Sequence, residues 1–328
     1  MKVVIVLYHR FQLWNAPDWF APRLKKDFPQ LNVIHLRKYE GIEEALGDAE
    51  VAIAWSIRPQ QLSAAHKLRW IHSPAAAVHQ LLFPELIESD VTLTNAREVH
   101  GPVVAEHVIA QIFALAKKLP QAVRLQKKKI WGQESLWRDQ PSPREVMGST
   151  LGLVGLGSIG REVAKRAAAL SMRVIAVREH PEKGTAPGVE HVYRSDQIDQ
   201  LLQQSDYVVL AAPITALTAS LMNAERLACM KAGSSLINVS RGSLVDESAL
   251  VAALKRGRLA SAALDVFSKE PLEAESPFWE MENVLVTPHS AAITGKLWER
   301  HYALISENMR RYLADKPLLS VVDKRAGY

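Results

Sequence analysis

The chain has 328 residues, 48% hydrophobic and 23% charged, with a net charge of +5 at pH 7 and a pI near 9.2. This length accommodates two domains that each bury a core, and the composition excludes a disordered or low-complexity chain. The single cysteine, Cys229, excludes an internal disulfide and suits a reducing compartment, so a cytoplasmic location is expected.

The start, Met1-Lys2-Val3-Val4-Ile5-Val6-Leu7-Tyr8, is basic and then apolar, as a secretory leader is. Its apolar core is short and no small-residue cleavage site follows, so it reads as a first strand. No apolar run approaches the ~20 residues of a membrane span. The dense basic run Lys127-Lys128-Lys129 reads as a solvated helix face. Neither a nucleic acid nor a membrane is expected as a partner, and a modest positive field equally suits anionic small molecules.

The strand candidates here are Val3–Leu7, Asn32–Leu36, Val51–Trp55, Arg69–His72 and Val91–Thr94, with helical stretches such as Ile42–Leu46 and Ala76–Phe83 between them. Pro17, Pro22, Pro29 and Pro59 punctuate the connections. The alternation predicts a parallel sheet with helices on both faces. Gly101-Pro102 then opens a helix from Val103 to about Leu119 that is apolar nearly all round. Such a helix is buried, in a core or at an interface. From Pro120 to Gly148 the chain is more polar and carries Trp131 and Trp137 among charges. Aromatics on such an arm point to a subunit contact, hence a homodimer, or to a loop packed on its own domain.

Leu151-Gly152-Leu153-Val154-Gly155-Leu156-Gly157-Ser158-Ile159-Gly160 reads as an apolar strand, a glycine turn and a helix start. The helix runs on to Leu170, and Met172–Val177 is the next strand. In that setting G-x-G-x-x-G predicts a dinucleotide loop. Gly155 allows the tight turn, Gly157 lets backbone approach a pyrophosphate, and Gly160 lets the helix pack closely on the strand. The helix N-terminus offers N–H groups to the phosphates. Later strands fall at Tyr207–Ala211, Ser235–Val239, Ser261–Leu264 and Val284–Thr287, with helices between, among them Ser248–Lys255 after a cap at Asp246. A final helix runs from Lys296 to about Leu313. The fold class is α/β, with two doubly wound parallel-sheet domains of Rossmann-like or flavodoxin-like type.

Three segments at predicted strand ends carry the chemistry. They are Asn238-Val239-Ser240-Arg241-Gly242, Asp265-Val266-Phe267-Ser268-Lys269-Glu270-Pro271 and Thr287-Pro288-His289-Ser290. In open α/β sheets ligands bind beyond the carboxyl ends of the strands. Arg241 has the fork that holds a carboxylate bidentately. His289 can exchange a proton with a ketone or hydroxyl oxygen near neutral pH, and Glu270 would favour its imidazolium and orient the ring. Taken singly, a histidine after proline is more often structural and an arginine before glycine more often a surface charge. The trio downstream of a dinucleotide loop suits hydride transfer at an oxygen-bearing carbon beside a carboxylate.

These segments, with Val104-Ala105-Glu106, the run from Ser205-Asp206 to Pro213 and Ser243-Leu244-Val245-Asp246, resemble the D-isomer-specific 2-hydroxyacid dehydrogenase family. The resemblance is dense from about Thr94 to Thr294 and holds only in outline before that. It implies a substrate domain of residues 1–99 plus 294–328, a dinucleotide domain of residues 100–293 including a dimerisation helix and arm over 101–148, and a cleft between two lobes. It implies Arg241, Glu270 and His289 as the catalytic set. It further implies cofactor contacts at Gly155, Gly157, Ser158, Ile159, Gly160, Arg178, Pro213, Val239 and Asp265, with Asp265 at the nicotinamide end. No metal is implied. Many relatives follow the substrate-loop strand with a glycine-rich turn and paired acids. Here that place reads His72-Ser73-Pro74-Ala75-Ala76-Ala77-Val78-His79-Gln80, where the N–H groups of Ala75, Ala76 and Ala77 are the candidates for a substrate carboxylate. After His289 the usual small-then-glycine pair is Ala291-Ala292, whose added methyl is expected to crowd the nicotinamide pocket.

The resemblance implies an NAD(P)-dependent enzyme interconverting small 2-oxoacids and D-2-hydroxyacids. The alternatives are a corepressor-like protein that uses dinucleotide binding as a switch, or a related dehydrogenase acting on phosphite, formate or a sugar acid. Such corepressors carry long disordered termini, whereas this chain begins in a strand and ends soon after its last helix, which favours the enzyme. An NAD-preferring domain ends its second strand with Asp or Glu about 20 residues after the loop. Here Arg178 stands there, which predicts NADP, with Lys183 adding to the positive site; Glu179, if aimed at the ribose, returns the preference to NAD.

Overall fold

The computed structural model describes residues 1–327, apart from the side chain of Lys183. Met1–His100 and the chain from Thr294 onward form one compact unit, and Gly101–Ile293 forms the other.

The first unit has five parallel strands, β1 Lys2–Val6, β2 Asn32–His35, β3 Val51–Ala54, β4 Trp70–His72 and β5 Thr92–Thr94, in the order β2-β1-β3-β4-β5. That is the flavodoxin-like order. The apolar strand runs are continuous because both sheet faces are covered. Period-two alternation sends Val4, Val6, Ala52 and Ala54 into one core with Ile42, Leu46 and Leu86. Val3, Ile5, Val51 and Ile53 go into the other, with Phe20, Leu24, Tyr302, Ile305 and Met309. The last three lie on the final helix, Leu297–Leu313, which returns the chain to this unit.

Two sequence expectations here are corrected. Ala76–Phe83 is not a helix: a single 3-10 turn covers His79–Leu81, and a short helix follows at Pro84–Glu88. The carbonyls of Ala75 and Ala76 are taken by Ala96 N and Asn95 Nδ2, so no helix ladder starts there. Proline at the first helical position instead starts the helix at Pro84. The expected Val103–Leu119 helix runs from Arg97 to Ala116, with Pro102 inside it. Pro102, the sixth residue of the helix, has no N–H to give, so the ladder lacks one bond there. The helix ends where Lys118 turns left-handed at φ 52°, and Leu119–Lys127 forms a new helix with a proline in its first turn. By length and composition alone Arg97–Ala116 is also long and apolar enough to cross a membrane, a test that a core helix passes as well. In the fold it buries Val104, Ala105, Val108, Ile112 and Ala116 against the second unit's sheet.

That sheet has seven parallel strands, β6 Thr150–Val154, β7 Arg173–Val177, β8 His191–Tyr193, β9 Tyr207–Leu210, β10 Ser235–Asn238, β11 Ser261–Leu264 and β12 Val284–Val286, in the order β12-β11-β10-β9-β6-β7-β8. β8 has too little apolar pattern to stand out in the sequence. The order reverses between β6 and β9, the Rossmann switch point, where a crevice opens beyond the strand ends. Asp246 caps the helix Glu247–Lys255, its side chain accepting from Ala249 N.

Candidate active site

At the switch point β6 is buried throughout and runs into Gly155, whose φ is 101°. A Cβ on Gly155 would stand 2.7 Å from Ala212 N, and one on Gly160 would stand 2.2 Å from Gly155 O. Neither position accepts a side chain, because turn and helix are pressed together. Gly157 differs, for a Cβ there would meet nothing within 4 Å. It is the N-cap of the helix Ser158–Ala169, whose first turn holds no acidic residue. Ile159 packs on the core beneath and Val239 is buried, whereas Pro213 is exposed and its carbonyl accepts from Thr218 Oγ1 at 2.7 Å. Open space beside Gly157, at the start of a helix whose own first turn carries no acidic residue, fits a dinucleotide pyrophosphate. Arg178 follows β7 and donates through Nη1 to Gly184 O at 3.2 Å, while Glu179 is exposed. The side chain of Lys183 lies outside the described residues.

The chemistry-bearing residues sit on the loops after three adjacent strands. After β10, Asn238 shapes its own turn: Oδ1 accepts from Ser240 N at 3.1 Å and Nδ2 donates to Arg241 O at 2.9 Å. Gly242 lies so close to the next loop that a Cβ would stand 1.9 Å from the Phe267 carbonyl carbon. The loops bearing Arg241 and Glu270 are therefore locked together. Arg241 is half-buried and donates through Nη1 to Ser240 O at 2.6 Å. Burial lowers its guanidinium from the ordinary arginine value, opposed by the charge of Glu270.

After β11, Glu270 Oε1 accepts from Phe267 N at 3.0 Å, and Glu270 Oε2 lies 2.7 Å from His289 Nδ1. Burial pushes the Glu270 carboxyl up. The hydrogen bond to His289, the Phe267 amide and the charges of His289 and Arg241 outweigh that, and the net direction is down. The carboxylate form is thus held beside the imidazole. With Nδ1 engaged, Nε2 is the ring nitrogen left for a reacting group. His289 itself holds a left-handed φ of 50°.

Asp265 is placed differently from a residue that reaches into a pocket. It is 1% exposed, and its carboxylate accepts from Thr287 Oγ1 at 2.6 Å and from the amides of Ser290 and Ala291 at 2.9 Å each. Its side chain builds the turn that carries His289. The methyl of Ala291 is likewise buried in the core and that of Ala292 packs on the same cluster. In the first unit, Ala75 N is taken by Ser73 Oγ at 3.3 Å, while among the described residues none accepts from Ala76 N or Ala77 N. Two of the three proposed amides are therefore open to an anion. Sequence reasoning missed His107 and Gln111, which contact Thr287 from the helix Arg97–Ala116. Two polar residues one turn apart, on a helix that is mostly apolar after Pro102, were the available signal. Among the described residues no cluster of His, Cys, Asp and Glu fits a metal ion.

A Rossmann sheet with an open helix N-terminus at its switch point, and a His–Glu pair beside an arginine, defines a dinucleotide-binding domain of the dehydrogenase class. Residues 109–291 match the family model described as D-isomer specific 2-hydroxyacid dehydrogenase, NAD binding domain, and the chain belongs to that family. It is 33% identical over 280 residues to glyoxylate reductase of Korarchaeum cryptofilum, covering 82% of this chain and 81% of that protein. D-3-phosphoglycerate dehydrogenase of Methanocaldococcus jannaschii is 32% identical over 289 residues, 87% of this chain and 53% of that one. The chain thus spans about half the length of the phosphoglycerate dehydrogenases it matches. Among solved structures, the NADPH-dependent glyoxylate/hydroxypyruvate reductase of Sinorhizobium meliloti, in complex with NADP and sulfate, superposes with a TM-score of 0.82 at 30% identity over 100% of both chains. A D-isomer specific 2-hydroxyacid dehydrogenase from Xanthobacter autotrophicus, in complex with NADPH and MES, gives 0.80 at 30% identity over 99% of both.

Proposed function

We propose that the chain is an NAD(P)-dependent enzyme that interconverts small 2-oxoacids and D-2-hydroxyacids. The observation that carries this reading is His289 Nδ1 held 2.7 Å from Glu270, on loops locked to the one bearing Arg241. Bound nicotinamide dinucleotide supplies the hydride. Arg241 exchanges its contact with Ser240 O for the carboxylate of the 2-oxoacid and orients the neighbouring carbonyl. His289 Nε2 gives a proton to the carbonyl oxygen on reduction and takes it back on oxidation. Glu270 stabilises the charged imidazole and fixes its tautomer. The open amides of Ala76 and Ala77 are assigned to the substrate as well.

Arg178 supports NADP over NAD, since a guanidinium can pair with a 2′-phosphate and cannot accept from a ribose hydroxyl. Trp131 and Trp137, 92% and 67% exposed, support the arm as a contact between two copies, and sedimentation reads that directly. A cytoplasmic location suits the free thiol of Cys229. The deciding experiment follows absorbance of NADPH and NADH with glyoxylate, pyruvate and hydroxypyruvate. Consumption of either cofactor with one of these acids supports the assignment, and no consumption with any of them overturns it.

A further inference from the structure

His107 and Gln111 stand one turn apart on the helix Arg97–Ala116, so their side chains leave the same face. Both reach Thr287: His107 Nε2 lies 3.2 Å from Thr287 Oγ1 and Gln111 Nε2 lies 3.4 Å from it. A threonine hydroxyl has one proton to give. Thr287 gives it to Asp265 Oδ1 at 2.6 Å. Both contacts from the helix therefore arrive as donors, and the His107 ring carries its hydrogen on Nε2. That nitrogen is also 3.7 Å from Asp265 Oδ1.

Asp265 holds the next turn from two sides. Its carboxylate accepts from Ser290 N and Ala291 N, and its carbonyl accepts from His289 N at 2.8 Å. The left-handed backbone of His289 costs about 1 kcal/mol or more for a residue with a side chain, and persists only where its surroundings over-determine it. The surroundings here are a buried carboxylate, the threonine that binds it and the helix donors behind that threonine.

Building on the reductase reading above, we propose that His107 is a positioning residue, which through Thr287 and Asp265 holds the turn that presents His289. His107→Phe keeps the ring volume and removes the donor, whereas His107→Gln keeps an N–H of similar reach. In the intact chain, H107F is expected to lower kcat with glyoxylate about tenfold, while KM and the NADPH Kd from fluorescence quenching stay within about twofold. H107Q is expected to recover most of the loss. Thr287→Val breaks the same chain of contacts, so the double variant is expected to be no slower than T287V alone. Amide exchange at Ser290 and Ala291 is expected to quicken in H107F and to return toward wild type in H107Q.

The exchange readout needs no turnover. A wild type that reduces no 2-oxoacid refutes the reductase reading, and exchange then decides the role of His107. Unchanged kcat or unchanged exchange in H107F, losses that multiply in the double variant, or an H107Q no better than H107F would each overturn the proposal.

Discussion

Acidification from pH 7 to pH 5 should strip stability from the first unit through its buried histidines. His72, His100 and His301 are 0%, 8% and 0% exposed. The His100 and His301 rings lie 5.4 Å apart, and Trp298 packs on His301 at 5.2 Å. His72 Nδ1 lies 2.9 Å from Thr94 Oγ1. Among the described residues no partner meets His72 Nε2, His100 Nδ1 or either nitrogen of His301. Burial pushes His72 down to about 3. It takes His100 to about 4, helped by the charge of Arg300 and opposed by the Pro74 carbonyl. His301 falls well below its ordinary value through burial and then through His100 and His72.

The folded-state values are depressed, so the unfolded chain takes up protons that the fold refuses. The stability is whole above the ordinary histidine value and is lost as pH falls through the window beneath it. His72 and His100 each cost about 2 kcal/mol between pH 7 and pH 5, and His301 acts in the same direction. That is a large part of the whole stability of a typical domain, ~5–15 kcal/mol. Most carboxylates titrate below this window. Urea unfolding at pH 7, 6 and 5, read by tryptophan fluorescence and by hydrogen exchange of β4, measures the slope. His301→Leu should make the slope shallower. A first unit equally stable at pH 7 and pH 5, or a slope that His301→Leu leaves intact, would refute the reasoning.

His289→Ala should cut kcat about 10²–10⁴-fold with dinucleotide binding intact. Arg241→Lys should chiefly raise KM for the 2-oxoacid, because a point charge does not replace the fork; steady-state kinetics separates the two effects. Arg178→Asp should shift the kcat/KM ratio of NADPH to NADH toward NADH by about 10- to 100-fold, the worth of a charge-assisted contact. An unchanged ratio would remove Arg178 from cofactor selection. Gly242→Ala should destabilise the second unit by about 1–3 kcal/mol and lower kcat with it, since the new methyl meets the Phe267 backbone. Denaturation that matches wild type would show that the loops give way freely.

The dinucleotide loop was legible in the sequence because each of its parts is local. A strand period, a glycine that must turn at positive φ and a helix start all lie within ten residues of one another. The same holds for the Asp246 cap, which needs only the amide three residues on. That Arg241, Glu270 and His289 come together was readable because each follows a legible strand, and parallel strands deliver their carboxyl ends to one edge.

What packing decides has no such signature. Asp265 is acidic, stands at a strand end and fits a ligand contact, yet its carboxylate turns inward, because the amides of Ser290 and Ala291 need an acceptor there. His107 meets Thr287 from a position 180 residues away in the chain. His72, His100 and His301 converge from a strand, the start of a long helix and the returning final helix. Side-chain type and spacing encode what a residue can do with its near neighbours. Only the tertiary structure decides which distant groups share its surroundings, whether water reaches it, and so whether a charge there is used, paired or suppressed.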